Sequence, residues 1–233
     1  MGKFNKEAFT EAIQVMKDEF LLATWETIYA TLVATAFALL IGVPLGILLA
    51  AGDKKKVLPI PKWVLNVIDF IINILRSIPF LILIIVVMPL TSFIVGTSIG
   101  TTASIVPLVI AAFPFIARLT ESSLREVNAG VIDMAKSMGA NPFQIIFKVM
   151  LPECLPSLIS NFTIALTTIL GYTAMSGTLG GGGLGKIAIN YGYYRYRTIV
   201  LIAAVVLLVV LVQLLQSLGT YLAKKVDKRL KKN

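Results

Sequence analysis

The chain has 233 residues, 57% of them hydrophobic and only 14% charged, with a mean hydropathy of +0.88. Soluble domains carry about 25% charged residues, so an ordinary soluble enzyme is excluded, and apolar runs of twenty or more residues indicate a polytopic membrane protein. The net charge is +9, from 21 basic and 12 acidic side chains, and it fits either nucleic-acid binding or membrane topology until its distribution is read.

Charged residues throughout Met1–Phe20, with no apolar core, predict no cleaved signal peptide there. Phe9, Ile13, Met16 and Phe20 recur at helical spacing with charges between them. Residues 1–24 therefore read as an interfacial amphipathic segment, or equally as an extension of the first span. Five apolar segments follow, near residues 25–51, 64–95, 101–119, 155–175 and 199–222. None alternates in polarity as barrel strands do, so the predicted fold is all-α: a five-helix transmembrane domain over 25–222. Five spans of roughly 20 residues each leave too little chain for a separate soluble core, so chemistry that needs one falls to a partner.

Basic residues set the predicted orientation. Lys54–Lys56 and Lys62 follow the first span. Arg118, Arg125, Lys136 and Lys148 lie about the third-to-fourth loop, and Lys224, Lys225, Lys228, Arg229, Lys231 and Lys232 close the chain. These fourteen fall on one side and six on the other, which predicts a cytoplasmic C-terminus and an outside N-terminus. Residues 223–233 then form a basic cytoplasmic tail, and nucleic acid is not needed to explain the charge.

Within the spans, Gly42 and Gly46 form a small-xxx-small packing motif. The second segment contains Asp69, Arg76, Pro79 and Pro89. Asp69 and Arg76 are two helical turns apart and form either part of a translocation pathway or a structural pair, while Pro79 predicts a bend. There is no His and a single Cys, Cys154, which reads as a small buried residue, with no disulfide or metal cluster predicted.

The loop between the third and fourth spans, residues 127–151, is punctuated like two short helices. Val127, Val131, Met134, Ala135 and Met138 predict one apolar face, and Gly139 suits a positive-φ helix end. Asn141, Pro142 and Gln144 read as a cap, a first-turn proline and the return arm of a capping box, with the second helix ending before Pro152. The small residues Ala135, Gly139 and Ala140 at the bend allow close approach of another surface. The element docks a soluble partner or packs on its own bundle.

Asp133-Met134-Ala135, three residues, Gly139, nine residues and Val149-Met150-Leu151-Pro152 resemble the coupling motif of ABC-importer permeases, E-A-A-x3-G-x9-I-x-L-P. Asp133, Met134 and Val149 depart in identity but not in spacing. Trp25-Glu26-Thr27, Arg76-Ser77-Ile78-Pro79-Phe80, Gly171-Tyr172-Thr173-Ala174-Met175 and Gly180-Gly181-Gly182-Gly183-Leu184-Gly185 are similar to the methionine-importer branch. The resemblance implies ATPase coupling through Asp133, Met134, Ala135, Gly139, Ala140, Leu151 and Pro152. It places the gate at Met175, with Tyr172, Arg76 and Pro79 along the pathway. It also implies a second copy of the chain, two ATPase subunits that bind ATP and Mg, an extracytoplasmic methionine-binding protein, and a lipid bilayer around the bundle. No catalytic residue and no cofactor is expected in this chain. The function implied is import of methionine, with D-methionine and derivatives as candidate substrates. The alternatives are a permease for another small solute, a secondary transporter and a membrane scaffold. Gly180–Lys186 spells G-x-x-x-x-G-K, but Ile187 stands where Mg²⁺ coordination needs Ser or Thr, so nucleotide binding there is rejected, and the glycines fit either a flexible or tightly turned gate-side loop or simple close packing.

Overall fold

The computed structural model describes residues 6–52 and 57–227. Lys54–Lys56, the first five residues and the tail beyond Asp227 lie outside that description, as do the side chains of Phe9 and Met16. Among the described residues nine α-helical stretches run in the order α1 (Lys6–Gly52), α2 (Lys62–Ser77), α3 (Phe80–Val95), α4 (Thr101–Arg125), α5 (Ala129–Ser137), α6 (Pro142–Gln144), α7 (Leu151–Ser176), α8 (Gly183–Ile187) and α9 (Thr198–Val226). No strand occurs among the described residues.

Among the described residues four helices are each long and apolar enough to cross a bilayer, at Lys17–Gly52, Thr101–Arg125, Pro142–Leu179 and Thr198–Val226, and the pair α2–α3, bent by 111°, makes a fifth when counted as one span. The second predicted span is thus not one helix. Ile78 is extended, and Pro79 (ψ 136) sits as the N-cap of α3. A proline disfavours helical geometry in the residue before it, and α2 ends there. α1 is continuous from Lys6, so no break divides the N-terminal segment from the first span.

The chain forms two compact units, which the long helices share. The first comprises residues 1–35, 79–109 and 166–215. Its core joins Phe20 and Ala23 of α1 to Leu184, Ile187 and Ala188, and to Val200 and Ala204 of α9. The Thr31 and Thr173 hydroxyls meet at 3.2 Å in this unit. Tyr191 donates a hydrogen bond to Glu19, which pushes its phenol pKa upward. The carboxylate acceptor favours the protonated phenol.

The second unit comprises residues 36–78, 110–165 and 216–233. Here Gly42 and Gly46 let α1 cross α4 closely: an added Cβ would lie 2.6 Å from the Phe113 carbonyl oxygen and 2.4 Å from that of Ala117. A second cluster packs Leu124, Val127, Ile132, Ile145, Ile146 and Met150 on Ala50, Ala51 and Val57. Cys154 is buried in this cluster, as expected of a small apolar side chain.

Candidate functional site

The elbow between α4 and α7 is built by local chain chemistry. Asn128 caps α5 by accepting from the Gly130 N–H at 2.8 Å. At the other end of α5 the Gly139 N–H bonds the Lys136 carbonyl and the Ala140 N–H bonds that of Ala135, at 2.9 and 3.1 Å. With Gly139 at φ +80, this is a Schellman turn. Asn141 and Gln144 then close a reciprocal capping box with both bonds at 2.9 Å, and Pro142 takes the first position of α6.

Two expectations about this elbow are corrected. First, the second helix does not end before Pro152. It continues through a π-helical segment, Ile145–Met150, directly into α7. The Leu151 N–H reaches back five residues to the Ile146 carbonyl. This wider turn absorbs a proline that can neither donate to the ladder nor fit a regular one. Second, the residues expected to share one apolar face, Val127 to Met138, are divided between two sides. Ile132 is buried and Ala135 packs on the core, while Val131, Met134 and Met138 project outward, Met138 being 82% exposed.

Across the bend, Phe143 and Phe147 are exposed as well. The elbow therefore has a seated side, formed by Ile132, Ile145, Ile146 and Met150, and an open apolar side. Asp133 is exposed, and its ion pair with Lys136 is a loose 3.7 Å. Gly139 is exposed, Ala140 and Leu151 are half-buried, and Pro152 is exposed.

The residues assigned to the gate behave differently from one another. Tyr172 stacks on Phe80, the residue after Pro79, with ring centroids 4.4 Å apart and planes 12° from parallel. Met175, one helical turn beyond Tyr172, is 46% exposed. Arg76 is exposed and makes no pair with Asp69. Asp69 instead binds Arg118 of α4 at 2.6 Å, and Asn73 bonds both partners. Helical spacing identified a shared face on α2, but the strong partner came from another helix.

After Met175 the chain turns through Gly177–Leu179 into the glycine run. This hairpin is closely packed, not flexible. The Glu26 carboxylate accepts from the Gly183 N–H at 2.7 Å, and the Thr27 hydroxyl accepts from the Leu184 N–H at 2.9 Å. Two side chains of α1 thereby satisfy the open donors at the start of α8. The sequence showed Glu26 and Thr27 only as part of a resemblance. An acidic-hydroxyl pair at the edge of an apolar span was the available signal.

Residues 42–228 match the family of binding-protein-dependent transport system inner membrane components. The chain belongs to this family. It is 49% identical over 213 residues to the probable D-methionine transport system permease protein MetI of Vibrio cholerae serotype O1, covering 91% of this chain and 94% of that one. The probable D-methionine permease MetI of Haemophilus influenzae is also 49% identical, over 89% of this chain and 97% of its own length. A solved inward-facing structure of the MetNI methionine ABC transporter superimposes with a TM-score of 0.88 at 43% identity, covering 91% of this chain and 98% of that one. As an inner-membrane component, the protein is a multi-pass transport subunit and not itself a catalyst. Membership removes the secondary-transporter and scaffold readings.

Proposed function

We propose that this chain is the membrane-spanning permease of an ATP-driven methionine importer. It would act as one of two copies above two ATPase subunits and beneath an extracytoplasmic methionine-binding protein. The methionine assignment is supported by the relatives of 49% identity. ATP and Mg would bind the partner ATPases, which carry out hydrolysis, and the permease itself would need no cofactor.

The single observation that carries the coupling role is the two-sided elbow. Met134, Met138 and Phe143 are exposed on a segment whose opposite side is locked into a buried core. Exposed apolar side chains on a rigid base suit a groove in a soluble partner. A lever also has to transmit displacement without deforming, and the π-segment fuses this elbow to α7 without a joint. Asp133, Ala135, Gly139, Ala140, Leu151 and Pro152 shape that lever. With fourteen basic residues on its side, the elbow and the C-terminus lie in the cytoplasm and the N-terminus lies outside.

Motion of the elbow would pass along α7 to Met175, where the half-exposed thioether from each copy narrows the path. Tyr172 and Phe80 hold that end of α7 beside the Pro79 break. Arg76, exposed at the end of α2, would line the pathway.

Reconstitution with the ATPase and the binding protein tests the proposal. ATP-dependent uptake of labelled methionine is the expected result. ATP-dependent uptake of a different solute instead would overturn the substrate while leaving the architecture in place. Failure of the ATPase to co-purify with the chain would overturn the coupling role.

A further inference from the structure

α2 carries a hydrophilic stripe: Lys62, Asn66, Asp69, Asn73 and Arg76 recur at intervals of four, three, four and three residues. That spacing keeps all five on one face of the helix. Beside them lie exposed Trp63, Val67, Phe70 and Ile74, and on the inner side Leu65 and Ile72 are buried. In a membrane protein such a stripe faces other protein or a water-filled cavity.

Part of the stripe is matched by α4. Arg118 donates to Asp69 at 2.6 Å, to Asn73 at 2.9 Å and to Glu121 at 2.7 Å. Arg125 binds the other Glu121 oxygen at 2.6 Å. Glu121 is only 3% exposed. Next to this network opens a pocket of about 340 Å³ lined by Lys62, Asn66, Asp69, Glu121 and Arg125, with Leu49 and Leu65 as its apolar wall. The volume is at the small end of the range for ligand sites.

We infer that this pocket is a binding site for an α-amino-acid zwitterion, a resting point for the solute within each protomer. The inference rests on the importer reading above. Both signs of charge line one small cavity. Lys62 makes no ion pair among the described residues. Together with the Asn66 amide it is available to a carboxylate. Asp69 is partly exposed at its side chain and retains acceptor capacity for an ammonium group. The buried Glu121, held between two guanidinium groups, keeps the wall rigid. Leu49 and Leu65 offer a short apolar side chain such as a thioether a dry surface. A phosphatidylethanolamine headgroup has the same pairing of anion and ammonium, so the experiment must separate the two sources.

The test uses the full complex with its ATPases, without binding protein, in nanodiscs of phosphatidylcholine alone and of phosphatidylcholine with phosphatidylethanolamine. The probe is labelled L-methionine. Saturable binding is expected in both lipids. It should weaken about tenfold in Lys62→Gln and in Asp69→Asn, the loss of one charge-assisted hydrogen bond. Lys62 is exposed at the start of α2, so its variant tests the site even if Asp69→Asn does not assemble. Methionine methyl ester and 3-methylthiopropionate, each lacking one charge of the zwitterion, should compete poorly. Unchanged binding in Lys62→Gln, equal competition by the ester, or displacement of methionine by phosphatidylethanolamine would overturn the site. If a different amino acid binds and is carried, with the same dependence on Lys62, the methionine assignment fails and the zwitterion site stands.

Discussion

At Gly139 an added Cβ would meet nothing within 4 Å, whereas at Gly182 it would fall 1.9 Å from the Thr101 hydroxyl and 2.6 Å from the Glu26 carboxylate. The elbow and the glycine hairpin thus use the same residue for partly different reasons. In the elbow the backbone needs a positive φ to close a Schellman turn, and the space around it is open. In the hairpin Gly180 and Gly183 also take positive φ, but at Gly177, Gly182 and Gly185 the constraint is room. Gly185 would place a Cβ 2.1 Å from the Ala174 carbonyl oxygen, and Gly177 one 2.3 Å from the Lys186 nitrogen. One region is shaped from within and left open on one side. The other is packed on all sides and held by α1.

The comparison can be broken most severely at Gly185. Gly185→Ala forces backbone against backbone, and overpacking of about 3 kcal/mol or more is expected. Purified material should lose its monodisperse fraction and unfold at a markedly lower temperature. Retention of normal stability would show that the hairpin is loosely seated.

Next comes Glu26. Glu26→Ala leaves the buried Gly183 N–H without its acceptor, a loss of about 1–3 kcal/mol. Glu26→Gln keeps an acceptor oxygen and should recover most of it. Thermal unfolding of the two variants side by side measures the difference. Equal losses in both would mean that the charge matters and the hydrogen bond does not.

Gly139→Ala should cost about 1–2 kcal/mol, because only the left-handed conformation is penalised. Gly139→Asn, which tolerates that conformation, should cost less. A bulky replacement, Gly139→Trp, should insert into the membrane and yet abolish uptake, because the open side of the elbow is where the partner approaches. Normal uptake by that variant would sink the coupling role.

The smallest effect on folding is expected at the open face itself. Met138→Gln and Phe143→Gln should change stability by no more than about 0.5 kcal/mol, since both side chains are already exposed. Co-purification of the ATPase should fall sharply in the same variants. A large loss of stability with intact ATPase binding would reverse the assignment of the two sides.

Much of the elbow was legible from short-range signals. Gly139, Asn141, Pro142 and Gln144 lie within five positions of one another, and the structure forms each turn and cap that they indicate. The failures occurred where longer-range packing overrode a local rule. Pro152 reads as a stop, but the π-turn before it let the helix run on. Met134 and Met138 read as one face with Val127 and Ala135 at helical spacing, yet only Val127 and Ala135 pack on the core. Asp69 and Arg76 read as sharing a helix face, along a pathway or as a pair, but Asp69 binds Arg118, across 49 positions of sequence.

By itself the sequence determined the class, the number of apolar segments, a bend at Pro79, the helix stop at Gly139, and the caps of the elbow. These follow from hydropathy and from backbone donors and acceptors that must be satisfied within a few residues. Only the tertiary structure decided which side of the elbow faces outward, which cation holds Asp69, and why the glycine run has no room for a side chain. Glu26 and Gly183 are 157 positions apart, and no local pattern specifies a contact that forms only when α1 and α8 are packed together.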